Sequence, residues 1–465
     1  MTDPRRLLNN SGVAALLAVI ALASAVPAEA AVVTVPETYL GVSIYQRNSS
    51  GAGAASNNNQ VKMVSSTGAS VSTYYPAASY PATTERSWNY SLAMDVHPDP
   101  DPNYAGSGVT YVKYLYVADT ANHRIRRFAL EKKSSTPTYN LVGAPTPSQY
   151  LIEWGSYGST LGNNAATTRL AYPGGIAVHP VTHDVYVADT MNSRILVFEF
   201  TTDPNMATPR QVSLEGAVFS GGTYTIQQIN PSGSHVMGSL VDVRNPVYPD
   251  PNALGSQATI TDDGGAGVGV AELSQGRFYY PHGLALDVDP GADPNDPDDD
   301  VTYLYVADTW NHRVQVFIDT TPGYASLDYR FHRMWGGYSR TAAGRFRYPR
   351  DVAVSRTGAG AVRVFVADTR NRRIQFFDKD ALDNYSYQGS FGGTTTLVNP
   401  VDLAVDRLGN VYVADPQNDQ ITSNRNSRIR KYDNSGAFVA NIGATALTSN
   451  ALVPYGIAVA EAVRY

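Results

Sequence analysis

The sequence predicts an all-β fold, a β-propeller, on three observations. The string YLYVADTANHRIRRF at residues 114–128 returns as DVYVADTMNSRILVF at 184–198, YLYVADTWNHRVQVF at 303–317 and RVFVADTRNRRIQFF at 363–377. A fifth copy is split, NVYVADP starting at Asn410 and NSRIRKY at Asn426. A second string precedes each copy: LAMDV at Leu92, YPGGIAV at Tyr172, YPHGLAL at Tyr280, YPRDVAV at Tyr348 and NPVDLAV at Asn399. A third element follows most copies, as Trp154-Gly155, Trp335-Gly336, Phe391-Gly392 and Ile442-Gly443. Repetition of one small unit at intervals of this size is the signature of a ring or solenoid.

Each unit reads as four short strands. The G-I-A-V run is continuously apolar, as a strand buried on both faces is. The V-Y-V-A-D and R-I-x-V-F runs are rich in β-branched and aromatic residues, which suit a pleated, packed surface. D-T-x-N between them is a turn, where Asp can bond the turn backbone and Asn tolerates a left-handed conformation. Four-stranded units repeated in this way close into a propeller.

A further copy of the second string, VPYGIAV at Val453, stands alone near the C-terminus, with too little chain after it for a blade. The N-terminal region can supply what is missing. Tyr39 to Ile44 reads as a second strand, Asn59 to Val64 as a faded third, and Ser70 to Tyr75 as a fourth. The expectation is a six-bladed propeller of four-stranded blades, closed by N- and C-terminal strands in one shared blade. The alternative is seven blades, because Asp189 and Asp308 leave room for a degraded blade at 211–274. At ~40–50 residues per blade, six blades need roughly 270 residues and leave about 160 in insertions, notably 199–279.

The motifs resemble the NHL-repeat family, whose signature runs P-x-G-[IV]-A-V and then [LV]-Y-V-A-D-T-x-N-[HS]-R-I-x-x-F. The resemblance covers nearly everything from Tyr90 onward and implies a propeller, usually of six blades. It implies no single activity, since this fold hosts binding modules, sensors and enzymes. The repeats also look similar to those of peptidyl-α-hydroxyglycine α-amidating lyases, in which His residues after Pro bind a catalytic zinc. Only His282 matches that position here, and one His does not make a three-ligand zinc site.

Residues 1–30 read as a signal peptide: Arg5 and Arg6, an apolar run at 12–26, then Ala28-Glu29-Ala30. The run is shorter than the ~20 residues of a membrane span. The expectation is a secreted, periplasmic or cell-surface protein, with 31–465 a single propeller and no membrane span once the signal is removed. The absence of Cys excludes disulfides, thiolate metal centres and Cys nucleophiles. A net charge of −6 argues against a nucleic-acid partner.

Asp119, Asp189, Asp308, Asp368 and Asp415 recur in every unit, so they read as structural rather than catalytic. The pair His179 and His183 has the i, i+4 spacing of a metal helix, but Pro180 and the hairpin context turn it into two turn histidines. Two acidic loops, 97–109 and 287–300, present carboxylates that can converge on Ca²⁺, the latter through Asp293, Asp296, Asp298 and Asp300. His282, Asp351 and Asp402 are the candidates for a metal in the central channel, and hence for a calcium-dependent hydrolase or lyase. The loop face is the other candidate. Its variable positions are the residue after each Pro (Gly174, His282, Arg350, Val401, Tyr455) and the x of D-T-x-N (Ala121, Met191, Trp310, Arg370), plus the insertion at 417–425 that begins at Gln417. Binding of a protein or carbohydrate partner there, through Trp310, Arg370, Met191, Arg350, Tyr455 and Gln417, is the leading expectation, with Ca²⁺ the one cofactor the sequence suggests.

Overall fold

The computed structural model describes residues 39–46, 60–65, 70–74, 91–96, 109–133, 139–141, 151–159, 169–199, 210–213, 217–220, 223–226, 278–293, 296–324, 329–356, 360–393, 396–416, 428–442 and 452–460. The expected leader at 1–30, most of the acidic loop at 97–109 and the 417–425 insertion lie outside them. Among the described residues no helix is long and apolar enough to cross a membrane.

The chain opens with β1 (Tyr39–Gln46), β2 (Gln60–Ser65) and β3 (Ser70–Tyr74). A sheet of β4 (Leu92–Val96), β5 (Val109–Asp119), β6 (Arg124–Lys133), β7 (Tyr139–Leu141) and β8 (Leu151–Trp154) follows. Next come β9 (Gly175–Val178), β10 (Val185–Asp189), β11 (Arg194–Glu199) and β12 (Arg210–Ser213), then a separate hairpin of β13 (Ala217–Ser220) and β14 (Thr223–Ile226). Three regular sheets complete the succession: β15 (Leu284–Asp289), β16 (Val301–Asp308), β17 (Arg313–Asp319) and β18 (Arg330–Gly336); β19 (Asp351–Arg356), β20 (Val362–Asp368), β21 (Arg373–Lys379) and β22 (Tyr385–Gly392); β23 (Asp402–Val405), β24 (Val411–Asp415), β25 (Arg428–Tyr432) and β26 (Phe438–Ile442). The last strand, β27 (Leu452–Ala460), pairs antiparallel with β1, so a C-terminal and three N-terminal strands make one sheet.

Five of these sheets are four-stranded antiparallel blades, not six or seven. The expected ring of six four-stranded blades is thereby corrected, and so is the seven-bladed alternative. The Leu92–Trp154 sheet departs because β6 is ten residues long and takes two partners on one edge. Ile125 to Phe128 pair with β8, and Leu130 to Lys132 pair with β7, which makes five strands. The segment expected to hold a degraded blade gives β12 to its neighbour's sheet and otherwise forms only the β13–β14 hairpin among the described residues.

The first strands neighbour one another in the order β4, β9, β15, β19, β23, β27, and β27 returns to β4. The core lies between sheets rather than within one. Val364 and Phe377 of one sheet pack with Tyr305, Val314 and Val316 of the preceding one, and four other seams have clusters of this kind among the described residues. This is why the first and second strands are largely apolar on both faces, and why β10 and β24 are buried along their whole length.

The D-T-x-N turn is a single 3₁₀ turn at Thr120–Asn122, Thr190–Asn192, Thr309–Asn311 and Thr369–Asn371. The left-handed residue is not Asn, as the sequence suggested, but the one after it: His123, Ser193, His312 and Arg372, with φ of 53 to 58°. Asn instead donates to the Asp carboxylate, at 2.8 Å from Asn311 to Asp308.

Candidate functional site

The repeated Asp holds each blade together. Asp308 is fully buried and accepts the Tyr279 amide on Oδ1 at 2.8 Å. Its Oδ2 accepts Asn311 Nδ2, Arg313 Nε at 2.7 Å and Gln315 Nε2 at 3.0 Å. Asp189 and Asp368 repeat this arrangement with Arg194 and Arg373. Burial pushes the Asp189 and Asp368 carboxyls up while these donors pull them down. Both carboxylate oxygens of each are engaged within the blade, which is the structural role their recurrence indicated.

The turns also clasp the next sheet. Thr120 and Thr190 donate to the carbonyls of Pro173 and Pro281, at 2.7 and 2.8 Å. His123 Nδ1 and His312 Nδ1 accept the amides of Tyr172 and Tyr348, and Ser193 Oγ accepts that of Tyr280. An accepting Nδ1 requires a neutral imidazole, and burial followed by the nearby charge of Arg347 holds His312 down to about 4. The clasp places Tyr172, Tyr280 and Tyr348 at φ near 50°, which is costly for a bulky residue.

These turns and the Tyr-Pro loops share one face. The x residues are tied to it by their own backbones, from Met191, Trp310 and Arg370 amides to the carbonyls of Ala171, Tyr279 and Arg347. Trp310 is 41% exposed, yet its ring rests on Tyr279, Tyr280 and Tyr348 at centroid distances of 5.5, 5.3 and 5.4 Å. Sequence reading singled out Trp310 but not those three tyrosines; the repeated aromatic before Pro was the available signal. Met191 and Arg370 are exposed. Arg350 is half-buried, its carbonyl accepting the Gly283 amide across a seam. Tyr455 instead packs against the core cluster of β1, β24 and β27. Val401 is buried, and Gln417 lies outside the described residues.

The inner rim carries the carboxylates. Asp351 and Asp402 open the first strands of neighbouring blades and are both buried. Asp351 Oδ2 accepts the Leu403 amide and Asp402 Oδ2 the Ile457 amide, each at 2.6 Å and each across a seam. The two carboxyls influence each other electrostatically. Burial pushes Asp351 up to about 7, and pushes Asp402 well above the carboxylate range with the charge of Asp351 adding to it. His282 stands at the corresponding loop of the preceding blade; burial first, and then Arg350, hold it neutral, down to about 3.

The acidic loop spends its carboxylates on its own amides and on neighbouring side chains, Asp287 and Asp289 pairing with Arg356. Asp299 Oδ2 accepts the amides of Ala292 and Asp293, Asp296 Oδ1 that of Asp298, and Asp300 the Tyr324 hydroxyl. It is not brought together with His282, Asp351 and Asp402. Among the described residues no group of three or more His, Cys, Asp or Glu side chains is placed to hold a metal ion. His179 and His183 do form a turn: His179 Nδ1 accepts the Val181 and Thr182 amides, and Nε2 meets Thr302 Oγ1 at 2.9 Å.

A family model for the NHL repeat matches residues 170–198. No curated protein matches the chain. Among solved structures, a functionally unknown protein from Desulfotomaculum acetoxidans is 10% identical, with a TM-score of 0.40 and 89% of this chain and 98% of that one covered. The periplasmic gluconolactonase PpgL of Pseudomonas aeruginosa is 11% identical, with a TM-score of 0.36 and coverage of 91% and 99%. The gluconolactonase XC5397 of Xanthomonas campestris is 9% identical, with a TM-score of 0.35 and 86% of both chains covered. Similarity at this level says nothing about activity. With the repeat matched at 170–198 and its motif recurring on sheet after sheet, the chain carries an NHL repeat within a β-propeller arrangement of sheets.

Proposed function

We propose that this propeller is a binding module that takes a protein or glycan partner on the face of its D-T-x-N turns and Tyr-Pro loops. One observation carries the reading: Trp310 presents 41% of its surface to solvent while three tyrosines fix its ring. An aromatic ring already held in place offers a large contact area with little further entropy to lose on binding. Work outside the cytoplasm is part of the same proposal and rests on the leader-like pattern of residues 1–30. The test is a protein and glycan array probed with wild type and Trp310→Ala. A partner on this face loses ~2 kcal/mol or more, about 30-fold, as a buried aromatic anchor does. Ligands retained equally by the variant place the binding elsewhere.

A second reading, a hydrolase or lyase at the inner rim, is favoured by the Asp351–Asp402 pair. Two coupled, buried carboxyls with raised pKa are a familiar arrangement for acid–base work. Screening esters and lactones from pH 4 to 8 tests it. Turnover abolished by Asp402→Asn supports this reading, and no turnover at any pH removes it.

A further inference from the structure

We propose that the β23–β26 blade binds the carboxylate of a small ligand at Arg428 and Arg430, in the place that Glu153 fills in the β4–β8 sheet. None of these residues belongs to the Trp310 platform or to the Asp351–Asp402 rim, so the site depends on neither reading of the function. Two blades show the ordinary arrangement. Two residues after the motif arginine stands Gln315 or Gln375, whose amide donates at 3.0 Å to the same Asp oxygen as that arginine. The β4–β8 sheet has Arg126 at this position, and the β23–β26 blade has Arg430. Residues two apart on a strand share a face. Each of these two sheets therefore sets two guanidinium groups against one buried aspartate.

The β4–β8 sheet balances the added charge. Glu153 lies opposite Arg126 in the register, and its Oε2 is 3.4 Å from both Arg124 Nη1 and Arg126 Nε. Asp119 Oδ2 is 2.7 Å from Arg124 Nε and 3.4 Å from Arg126 Nε, so two cations face two acids. In the β23–β26 blade the residue opposite Arg430 is Asn441, which is neutral. Asp415 alone remains: its Oδ2 lies 3.6 Å from Arg430 Nε, and it is the one acid among the described residues whose charge acts on Arg428. Burial, and then the like charge of Arg430, hold Arg428 below the usual guanidinium range. Among the described residues Arg428 Nε, Arg430 Nε and Asp415 Oδ2 are buried without a hydrogen-bond partner. Arg430 is 6% exposed, whereas Arg428 is half-buried and Asn441 exposed, so the site borders solvent. Buried polar groups are paired as a rule, and a cationic pair short of one acid is completed by an anion. The guanidinium fork matches the two oxygens of a carboxylate, and Glu153 shows one carboxylate serving both arginines of such a pair.

Thermal denaturation of the full-length protein in sodium acetate and in sodium chloride of equal ionic strength tests this. Acetate is expected to raise the Tm by about 2 °C more than chloride, as a ligand of the folded state does. Arg430→Gln, which puts there the residue that the β15–β18 and β19–β22 blades carry, should remove that difference. Asn441→Glu, which supplies the acid that Glu153 supplies in the β4–β8 sheet, should raise the Tm in chloride and remove the response to acetate. The two variants separate a site from the general stabilisation that a salt gives any folded chain. Equal Tm values for wild type in the two salts would overturn the inference. So would an acetate response retained in full by either variant, or an Asn441→Glu protein no more stable in chloride than wild type.

Discussion

The seams between blades are closed in two different ways. From Thr120 to Tyr348 the work is done at the turns, where the Thr120 and Thr190 hydroxyls and the His123, Ser193 and His312 side chains reach the Tyr-Pro loop of the next sheet. On either side of the β23–β26 blade it is done at the inner rim, by the carboxylates of Asp351 and Asp402. The sequence changes accordingly. Pro416 stands where the other turns have Thr, Asn399 stands where the other loops have Tyr, and Thr369 bonds Ala367 in its own turn. The rim register changes too. A Cβ on Gly175 would lie 1.9 Å from the His282 carbonyl oxygen, so the early seam needs glycine for its backbones to meet. At Asp351 and Asp402 a carboxylate bridges the gap instead. A ring can therefore be closed by neutral clasps at its turns, whose His312 acceptor is lost only on acidification, or by buried acids at its rim, which weaken as pH rises.

The largest effect should come from the seam that uses neither device, the pairing of β27 with β1. Deleting residues 31–75 leaves β27 with a bare edge and removes a whole sheet's share of the core. Loss of the cooperative thermal transition, with aggregation on size exclusion, is expected. An unchanged Tm in a monomeric product would show that closure does not depend on these strands.

Next comes Asp308→Ala against Asp415→Ala, which compares the two kinds of blade directly. Asp308 serves Arg313, Asn311, Gln315 and the Tyr279 amide, and breaking a buried pair of this kind costs ~3–5 kcal/mol. Asp415 keeps the Val398 and Asn399 amides, but Arg430 Nε lies 3.6 Å away and has no hydrogen-bond partner among the described residues. Its loss should cost ~1–3 kcal/mol. Urea denaturation of both variants checks the order, and equal costs would mean that the guanidinium adds nothing to the clasped blade.

Much of this was legible in the sequence because each motif residue has one local job repeated in four of the sheets: Asp and Arg five apart, Thr, and an apolar first strand. The blade count was not, because it depends on which edge an outer strand joins. Nothing in residues 130–141 announces that β6 will take two partners. The left-handed residue was misplaced because Asn was judged by its general tolerance, while the turn uses Asn as a donor and places strain on the next residue. Asp351 and Asp402 were noticed as possible metal ligands. Their bonds to Leu403 and Ile457 span about fifty residues, and no spacing rule reaches that far.

The pH dependence of the carboxyl seams is the third test. In the folded protein both groups keep protons that an ordinary aspartate, at 3.8, has lost. Their contribution is complete below that value and is lost as pH rises, for Asp351 through about 7, because the unfolded chain gains from ionising first. The wild-type Tm should fall between pH 5 and pH 8. Asp351→Asn and Asp402→Asn, which keep an acceptor for the Leu403 or Ile457 amide, should flatten that fall. Parallel Tm–pH curves for wild type and both variants would show that the acids are not what tunes these seams.

The smallest effect belongs to a single hydroxyl of the neutral clasp. Thr190 is buried, and its Oγ1 donates to the Pro281 carbonyl 2.8 Å away on the next sheet. Thr190→Val preserves the shape and leaves that carbonyl without its donor, which costs ~1 kcal/mol. Thr369→Val removes a hydroxyl bonded at 3.2 Å within its own turn and crosses no seam, so it should cost less. The sharper measurement is the coupling of Thr190→Val with Ser193→Ala, which removes the acceptor of the Tyr280 amide on the same loop. Residues that act on one shared segment couple, whereas independent ones add. A double variant less damaged than the sum of the singles would show the Thr and Ser contacts acting as one clasp, with the first break already freeing the loop. Strict additivity would mean that each bond holds its own part of the Tyr-Pro loop, and that the seam is a row of separate contacts.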